Sequence, residues 1–220
     1  DACGINTQVL SQTAFDCSHL GANAVSMIVT DNNGNDMSCS STVTVVDTIK
    51  PTALCQNLTL NLDGTGNGSI TAGQVDNSST DNCTIASKVL SKTTFDCTNN
   101  GPNTVTMVVT DNTGNTKSCT STITVVDTIK PNALCQNVTL NLDATGAATL
   151  TTGLVDNSST DNCSITSRVL SKTAFACNNV GLNTVNMVVT DNSGNTKSCT
   201  SNVTVVDTIS PVALCKNVTL

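Results

Sequence analysis

The chain repeats itself every 80 residues, and this period constrains its fold more than any other feature. The stretch DNCTIASKVLSKTTFDC at Asp81–Cys97 returns with few changes as DNCSITSRVLSKTAFAC at Asp161–Cys177, and a third version opens the chain. All 12 cysteines fall on four positions of the period, and the three Phe residues on a fifth. Most solenoid coils have periods of roughly 20–50 residues, so the longer period favours small independent β-domains in tandem.

A recurring motif, VVDTIKP or VVDTISP, joins each repeat to the next, first at Val45–Pro51. A strand-like run ends there in Asp, and Pro restricts the backbone on both sides of the crossing. We therefore expect short, semi-rigid joints, and beads on a string cut from a longer array. The boundaries predicted are an incomplete carboxyl-terminal part of a repeat at 1–50, complete repeats at 51–130 and 131–210, and the first strand of a further repeat at 211–220.

Composition and residue alternation both predict an all-β fold. The 16 acidic residues are all Asp, so the helix former Glu is absent, whereas Thr and Val, which favour strands, are abundant. Between Thr104 and Asp127, apolar residues alternate with Thr on both sides of the turn sequence DNTGN, which is typical of a hairpin. With further strands at Ala133–Asp143 and Cys83–Phe95, about seven short strands per repeat predict tandem immunoglobulin-like β-sandwich domains.

The cysteine spacing favours disulfides over zinc ligands. Successive cysteines in one period are 14, 22 and 16 residues apart, and the chain has one His. Zinc sites use cysteine pairs roughly two to four residues apart. Disulfides indicate an oxidising setting, so we expect a secreted or cell-surface protein. For the cysteines closest in sequence we predict local loops, Cys3–Cys17, Cys83–Cys97 and Cys163–Cys177.

Two schemes remain open for the other cysteines. In the first scheme, the cysteine near the start of a repeat's first strand forms a disulfide with the cysteine near the start of its last strand. These two strands can lie side by side in parallel. The pairs are then Cys55–Cys119 and Cys135–Cys199. In the second, Cys119 crosses the joint to Cys135, which requires a sharp reversal after about eight strand residues. We favour the first scheme, which leaves Cys39 and Cys215 to pair outside this window or between copies.

The remaining composition argues against several functions. A formal net charge of −7 argues against nucleic acid as a partner. No apolar run approaches the ~18 residues that cross a bilayer, and we recognise no signal peptide in the opening residues DACG. The single His, His19, does not recur in the other repeats, so we expect no Ser-His-Asp triad and no enzymatic activity.

Four segments span nearly the whole repeat, namely KPTALCQNLTL (Lys50–Leu60), TDNC (Thr80–Cys83), GPNTVTMVVTDNTGN (Gly101–Asn115) and SCTSTITVVD (Ser118–Asp127). In this order they resemble the HYR (hyalin repeat) domains of large bacterial surface proteins. The near-identical copies are similar to the repeat stalks of Bacteroidota-type surface adhesins. The resemblance implies an immunoglobulin-like, extracellular domain associated with adhesion. Typical members carry Tyr or Trp in the core, and this chain has neither.

Asp residues recur at the joints and turns, where they are candidate calcium ligands. Calcium takes roughly six to eight oxygen ligands, and a joint Asp and a turn Asp could converge on one ion. The alternative is that each Asp only stabilises its own turn, and no EF-hand or nonapeptide calcium motif is present. The candidates are Asp31, Asp47, Asp76, Asp81, Asp111, Asp127, Asp156, Asp161, Asp191 and Asp207.

Two kinds of function fit these features. The first is a structural stalk or fibre for surface adhesion or filament assembly, whose partners are neighbouring repeats or copies of itself. Such copies could donate the strand at 211–220 to one another. The second is a multivalent ligand-binding adhesion module. The repeats differ in segments such as Gly64–Gln74 and Ala144–Leu154, where readers of one ligand would stay alike, so we favour the structural function.

Overall fold

A computed structural model describes residues 2–218, so Asp1, Thr219 and Leu220 lie outside the described residues. The chain divides into two compact units. Unit 1 runs from the amino-terminal residues to Leu58 and adds Ile70–Thr93 and Thr104–Thr122. Unit 2 comprises Thr59–Ser69, Thr94–Asn103 and the described residues from Ile123 onward. The fold is all-β, with β-sandwich-like domains that recur at the period of the sequence.

Unit 1 begins with a three-stranded antiparallel sheet in the order β1-β2-β3. Its strands are β1 (Ile5–Leu10), β2 (Gly21–Asp31) and β3 (Asp36–Val45). The hairpin between β2 and β3 turns at the sequence DNNGN. Gly34 has a φ of +87° there, a conformation that Gly adopts without steric cost. The turn sequence therefore sets the register of the hairpin, which places Met27 opposite Cys39.

The middle of the chain has six strands and one single-turn helix. They are β4 (Leu58–Asn61), β5 (Asn67–Ser69), α1 (Ala72–Val75), β6 (Ile85–Leu90), β7 (Thr94–Asp96), β8 (Gly101–Asp111) and β9 (Thr116–Val126). One sheet has the order β4-β9-β8-β6 and the other pairs β5 with β7. The hairpin of β8 and β9 confirms the one predicted between Thr104 and Asp127.

Unit 2 contains the same elements 80 residues later. They are β10 (Val138–Asn141), β11 (Ala147–Thr149), α2 (Thr152–Val155), β12 (Ile165–Leu170), β13 (Ala174–Ala176), β14 (Gly181–Asp191) and β15 (Thr196–Val206). The larger sheet has the order β10-β15-β14-β12, and β11 pairs with β13. Strand β10 runs parallel to β15, whereas the other pairs are antiparallel.

One buried cluster joins the sheet β10-β15-β14-β12 to the pair β11 and β13. It includes Phe175 of β13 and Val185, Met187 and Val189 of β14. The three β14 residues alternate with more exposed ones. One face of the strand is therefore buried and the other faces solvent, as the period-two pattern predicts. The aromatic ring lies at the heart of the repeat because its apolar surface is the largest that each repeat can bury.

The first strand of the repeat is shorter than the sequence predicts. Only Val138–Asn141 of the predicted Ala133–Asp143 forms a strand. Upstream of it the backbone makes two isolated bridges, between Asn132 and Thr160 and between Cys135 and Asp156. Pro131 itself has no N–H to donate, and regular strand pairing begins only at Val138. The predicted strand at 211–220 is not a strand over the described residues 211–218.

Four disulfides connect eight of the 12 cysteines, in two classes. Cys55–Cys119 and Cys135–Cys199 span 64 residues, the pairs favoured from sequence. The parallel neighbours β10 and β15 bring the second pair to a Cα–Cα distance of 5.6 Å. The other class, Cys17–Cys83 and Cys97–Cys163, spans 66 residues and links positions in successive periods.

The predicted local loops Cys3–Cys17, Cys83–Cys97 and Cys163–Cys177 are wrong. Cys17 bonds Cys83 and Cys97 bonds Cys163 instead. The interval between Cys163 and Cys177 holds β12 and β13, which belong to different sheets. Strand β12 alone extends about 20 Å, so a short stretch of sequence does not bring its two ends together. Sequence proximity was therefore a poor guide to distance.

Candidate metal centre

Three Asp residues from distant parts of unit 1 form the first carboxylate cluster. Asp47 follows β3, Asp81 precedes β6, and Asp111 ends β8. One carboxylate oxygen of each lies within 4.8 Å of the others. Asp47 and Asp111 are buried, with 8% and 2% of their surface exposed. Three carboxylates this close repel one another, and burial strengthens the repulsion by removing water.

Asp111 is held in place by its own turn. Its Oδ1 accepts hydrogen bonds from the backbone N–H of Thr113 at 2.9 Å and of Asn115 at 2.8 Å, and its Oδ2 accepts one from Asn115 Nδ2 at 2.8 Å. Burial raises the pKa of the Asp111 carboxyl group, but these hydrogen bonds more than offset that effect and hold the pKa below its ordinary value. The turn Asp therefore stabilises its turn, as the alternative interpretation predicts, and also belongs to the cluster.

Asp47 is tied to the turn of the following repeat by its backbone. Its carbonyl oxygen accepts a hydrogen bond from Asn115 Nδ2 at 3.1 Å, and its Oδ1 accepts one from Asn82 Nδ2 at 3.3 Å. The N–H of Ile49 also donates to Oδ1 at 3.0 Å. In the sequence DTI, the backbone of the joint therefore hydrogen-bonds the Asp47 carboxylate, which lies in the cluster.

Unit 2 repeats the arrangement with Asp127, Asp161 and Asp191, whose oxygens again lie within 4.8 Å of one another. Asp127 Oδ1 accepts from Asn162 Nδ2 at 3.2 Å, and its backbone oxygen accepts from Asn195 Nδ2 at 3.0 Å. The same residue types at the same positions of the period build both clusters. The geometry is therefore a property of the repeat.

Some oxygens of both clusters have no hydrogen-bond donor among the described residues. They are the buried atoms Asp47 Oδ2, Asp81 Oδ1 and Asp161 Oδ1, and Asn162 Oδ1, next to Asp161 in the sequence, also has no donor. The described ion pairs of Lys, Arg and His involve other Asp residues. A buried carboxylate oxygen without a donor is costly unless a cation or water contacts it. These atoms therefore mark the side of each cluster where a cation would be stabilised.

The spacing of the oxygens suits a calcium ion. Calcium–oxygen distances of about 2.3–2.6 Å mean that two ligands of one ion are at most ~5 Å apart. The 4.8 Å limit within each cluster meets this condition. Carboxylate and amide oxygens are the hard donors that calcium prefers, and the clusters contain no Cys or His.

The other four candidate Asp residues lie outside the two clusters. Asp76 pairs with Lys88, and its counterpart Asp156 pairs with Arg168. Asp31 receives hydrogen bonds from Asn33 and Asn35 of its own turn, and Asp207 receives one from the N–H of Ile209. A carboxylate already paired with a cation or capping a turn has less need of a metal.

Sequence reasoning missed the partners that hold each cluster. Asn82 and Asn162 follow the Asp of TDNC, and each donates to the joint Asp. The next residue, Cys83 or Cys163, carries the disulfide to the preceding period, and its N–H donates to the neighbouring Asp at 2.9 Å. The signal in the sequence was the run DNC. In it the Asp belongs to the cluster, the Asn donates to the joint Asp, and the Cys forms the disulfide to the preceding period.

The single His is part of a local turn. His19 Nδ1 lies 2.8 Å from Asp16 Oδ1 and 3.3 Å from Ser18 Oγ. A catalytic triad places Asp and Ser on opposite ring nitrogens, whereas here both contact Nδ1. The group therefore caps the turn at Cys17–His19 and has no relay geometry.

No protein-family model and no curated protein matches the chain. Solved structures with a similar fold include protocadherin gamma B7 extracellular cadherin domains 1–4, at a TM-score of 0.36, 12% identity, and coverage of 89% of this chain and 61% of that chain. The protocadherin gamma B4 extracellular domain has a TM-score of 0.41 and 12% identity, over 89% of this chain and 39% of that chain. Mouse cadherin-23 EC22–24 has a TM-score of 0.37 and 14% identity, over 89% and 78%.

The chain spans less than two thirds of the two protocadherin structures. At these identities and TM-scores the likeness assigns no function to it. Within residues 2–218, no helix has the length and apolar character that a membrane crossing requires.

Proposed function

We propose that the chain is a section of an extracellular structural protein, a stalk or fibre in which each joint between repeats is locked by a disulfide and a calcium ion. The observation that carries this proposal is the recurrence of the joint. Each carboxylate cluster lies beside a disulfide that links successive periods, Cys17–Cys83 in unit 1 and Cys97–Cys163 in unit 2. A cross-link that recurs at every period limits bending along the whole array, which is what a stalk needs.

Calcium would be held by Asp47, Asp81 and Asp111 in one cluster, and by their counterparts 80 residues later in the other. The ion would neutralise the negative charges of two buried carboxylates and one half-buried carboxylate, and would contact the oxygens that lack donors. Because each cluster combines the joint Asp with two Asp residues of the following repeat, calcium would hold the joint as well as the turn.

We propose domain boundaries, a family and a location that agree with this function. The proposed boundaries are 1–50, 51–130, 131–210 and 211–220, the proposed family is HYR-type repeats of Bacteroidota-type surface adhesins, and the proposed location is secreted or cell-surface. Four disulfides are typical of an oxidising compartment. We also infer that the chain is not an enzyme, since its one His caps a turn.

Calcium stoichiometry tests the proposal directly. Native mass spectrometry of the chelator-treated protein, titrated with Ca²⁺, should show two tightly bound ions per chain. Asp111→Asn and Asp191→Asn should each remove one ion. Asp31→Asn is the matched control, because Asp31 makes the same turn contacts outside the described clusters. No calcium binding, or equal loss in the control, would overturn the calcium part of the proposal.

The second candidate is a multivalent ligand-binding adhesion module. The segments Gly64–Gln74 and Ala144–Leu154 differ between repeats although the cluster residues are identical. Identical joints and variable segments favour a role in which the joint matters most. A glycan or matrix-protein array that bound each isolated repeat equally well would favour the second candidate instead.

A further inference from the structure

The two carboxylate clusters differ at one oxygen of the joint Asp. In unit 1, Asp47 Oδ2 is buried and has no hydrogen-bond donor among the described residues. In unit 2, the corresponding atom, Asp127 Oδ2, accepts a hydrogen bond from Ser193 Oγ at 3.2 Å. The clusters agree at the other unpaired carboxylate oxygen, since Asp81 Oδ1 and Asp161 Oδ1 both lack a described donor. The difference between the clusters therefore lies in the hydroxyl group beside the joint Asp.

The hydroxyl group of the DN.GN turn has different partners in the two units. In unit 1 the residue is Thr113, whose Oγ1 lies 2.9 Å from Asp111 Oδ1 and 3.4 Å from the backbone oxygen of Asp47, its two acceptors. Asn115 Nδ2 donates to the same Oγ1 at 2.9 Å. The hydroxyl proton of Thr113 therefore serves its own turn or the joint backbone, and Asp47 Oδ2 is left without a donor.

A third residue, Asn100, directs the hydroxyl group of Ser193 in unit 2. Asn100 Nδ2 donates to Ser193 Oγ at 3.0 Å, and Ser193 Oγ in turn donates to Asp127 Oδ2. The two hydrogen bonds form a chain from an amide donor to a carboxylate of the cluster. The N–H of Ser193 also donates to Asp191 Oδ1 at 2.8 Å, so Ser193 contacts two members of the cluster. Ser193 is half-buried, whereas Thr113 is exposed.

Unit 1 lacks this chain of hydrogen bonds because its sequence lacks the amide. The residue 80 positions before Asn100 is Leu20, whose side chain has no donor. Leu20 is half-buried and lines the same cavity as Asp47 and Asn82, so it lies beside the first cluster. The structural difference between the two clusters therefore coincides with a sequence difference at one position of the period.

A carboxylate oxygen that already accepts a hydrogen bond gains less from a cation than an oxygen without a donor. Hydrogen bonds to charged groups are strong, and a buried charged oxygen without a partner carries its full desolvation cost. Asp47 Oδ2 carries that cost in the metal-free protein, and a bound cation would remove it. Asp127 Oδ2 is already stabilised, so a cation there would have to share or displace the proton of Ser193.

We propose that Asn100 and Ser193 lower the calcium affinity of the cluster in unit 2 below that of the cluster in unit 1. This inference rests on the calcium sites of the proposed function and assigns their relative affinity. At a calcium concentration between the two dissociation constants, the joint at Asp47 holds an ion and the joint at Asp127 holds none. An array built from such repeats would stiffen one class of joint before the other as the calcium concentration rises.

Variants that retain one site each allow a direct comparison. Asp191→Asn leaves the site in unit 1, and Asp111→Asn leaves the site in unit 2. Calorimetric titration of each chelator-treated full chain with Ca²⁺ should show several-fold weaker binding in unit 2. Absence of binding in both variants would overturn the calcium sites and this inference together. Equal dissociation constants, or tighter binding in unit 2, would overturn this inference and leave the calcium sites standing.

Substitutions at the two residues separate their effect from other differences between the units. In the Asp111→Asn protein, Asn100→Leu and Ser193→Ala should each tighten calcium binding several-fold. The first removes the donor that directs the hydroxyl group, and the second removes the hydroxyl group from Asp127 Oδ2. Leu occupies the same position of the period at Leu20, so the repeat accommodates it. Weaker binding by Ser193→Ala would show that the hydroxyl group helps to hold the ion, and unchanged binding would show that it has no influence; either result would overturn the proposal.

The matched control is Val180→Asn, which introduces the amide at the same position of the next period. The described hydrogen bond of Val180 runs from its N–H to the backbone oxygen of Cys177, which belongs to neither cluster. The control should therefore leave the calcium affinity of the Asp111→Asn protein unchanged. A change in the control as large as that in Asn100→Leu would overturn the assignment to Asn100.

Discussion

Asn195 donates a hydrogen bond from Nδ2 to the backbone oxygen of Asp127 at 3.0 Å, although 68 residues separate them. The same nitrogen donates to Asp191 Oδ2 at 2.9 Å. Asn115 makes both contacts at the equivalent position of unit 1. The final Asn of the DN.GN turn therefore ties a cluster carboxylate to the joint that precedes its repeat.

This contact predicts that Asn195→Ala weakens both folding and calcium binding. The variant leaves the Asp127 carbonyl and the Asp191 carboxylate short of a donor, which should cost about 1–3 kcal/mol of unfolding free energy. Urea denaturation in chelator measures this cost, and calorimetric titration with Ca²⁺ measures the affinity. The matched control is Asn35→Ala, since Asn35 donates to Asp31 of its own turn. Equal effects in the two variants would contradict a role for the joint contact.

The disulfides that link successive periods should stabilise the protein and favour calcium binding. Replacing both Cys97 and Cys163 by Ser should lower the unfolding free energy by about 2–5 kcal/mol, because the unfolded chain loses its cross-link. Calcium affinity should also fall, because the N–H of Cys163 helps to orient Asp161.

The control for this prediction is the Ser variant of Cys135 and Cys199, whose bridge closes a loop of nearly the same length. Its unfolding free energy should fall by a similar amount, with less effect on calcium affinity. Guanidinium denaturation and calcium titration of both variants make the comparison. A larger affinity loss in the control would show that the bridge between periods does not support the cluster.

Stability without calcium should fall in acid. The pKa of Asp111 is lower in the folded protein than its ordinary value, so the unfolded state binds more protons in acid. The stabilisation is complete above the unfolded pKa of about 3.9 and is lost as the pH falls through the folded pKa. Melting temperatures in chelator should therefore be nearly constant from neutral pH to about 5 and decline below about 4. Asp111→Asn should decline less steeply; an equal slope would show that other carboxylates dominate.

Ser201 and Ser41 should differ because one is covered and the other is open. Ser201 is fully buried and its hydroxyl donates to Gln136, so Ser201→Ala should cost about 1–3 kcal/mol by leaving that carbonyl unpaired. Ser41→Ala should barely change the thermal stability of the monomer, since Ser41 is exposed. A loss of stability in Ser41→Ala as large as that in Ser201→Ala would show that the hydrogen bond to Gln136 is not the cause.

Much of the fold follows from local and periodic patterns. Alternating residues around DNTGN predict the β8–β9 hairpin because side chains on a strand alternate between faces and the turn needs a Gly conformation. The structure also has the predicted pairs Cys55–Cys119 and Cys135–Cys199, because strands that start and end a sandwich repeat can lie parallel. Such features depend on residues close in sequence or on a common topology.

The sequence predicted the residue types of the candidate site, and that a joint Asp and a turn Asp could converge, but not the exact members of each cluster. Asp recurs at joints and turns, which suggests oxygen ligands, yet the sequence does not say that Asp47 meets Asp81 and Asp111 while Asp76 meets Lys88. Those meetings depend on how strands from distant segments are stacked and aimed. The local cysteine loops were wrong for the same reason, since β12 and β13 lie in different sheets and separate Cys163 from Cys177.

The sequence by itself determined the period, the all-β character, the hairpin turns and the presence of an Asp at each joint. These features depend on local conformational preference and on repetition. Only the tertiary structure decided that Cys97 reaches Cys163 in the next period and that six Asp residues gather into two clusters. Distances between residues far apart in the chain are set by the packing of sheets around a shared core. That packing is a collective result, and no short stretch of sequence specifies it.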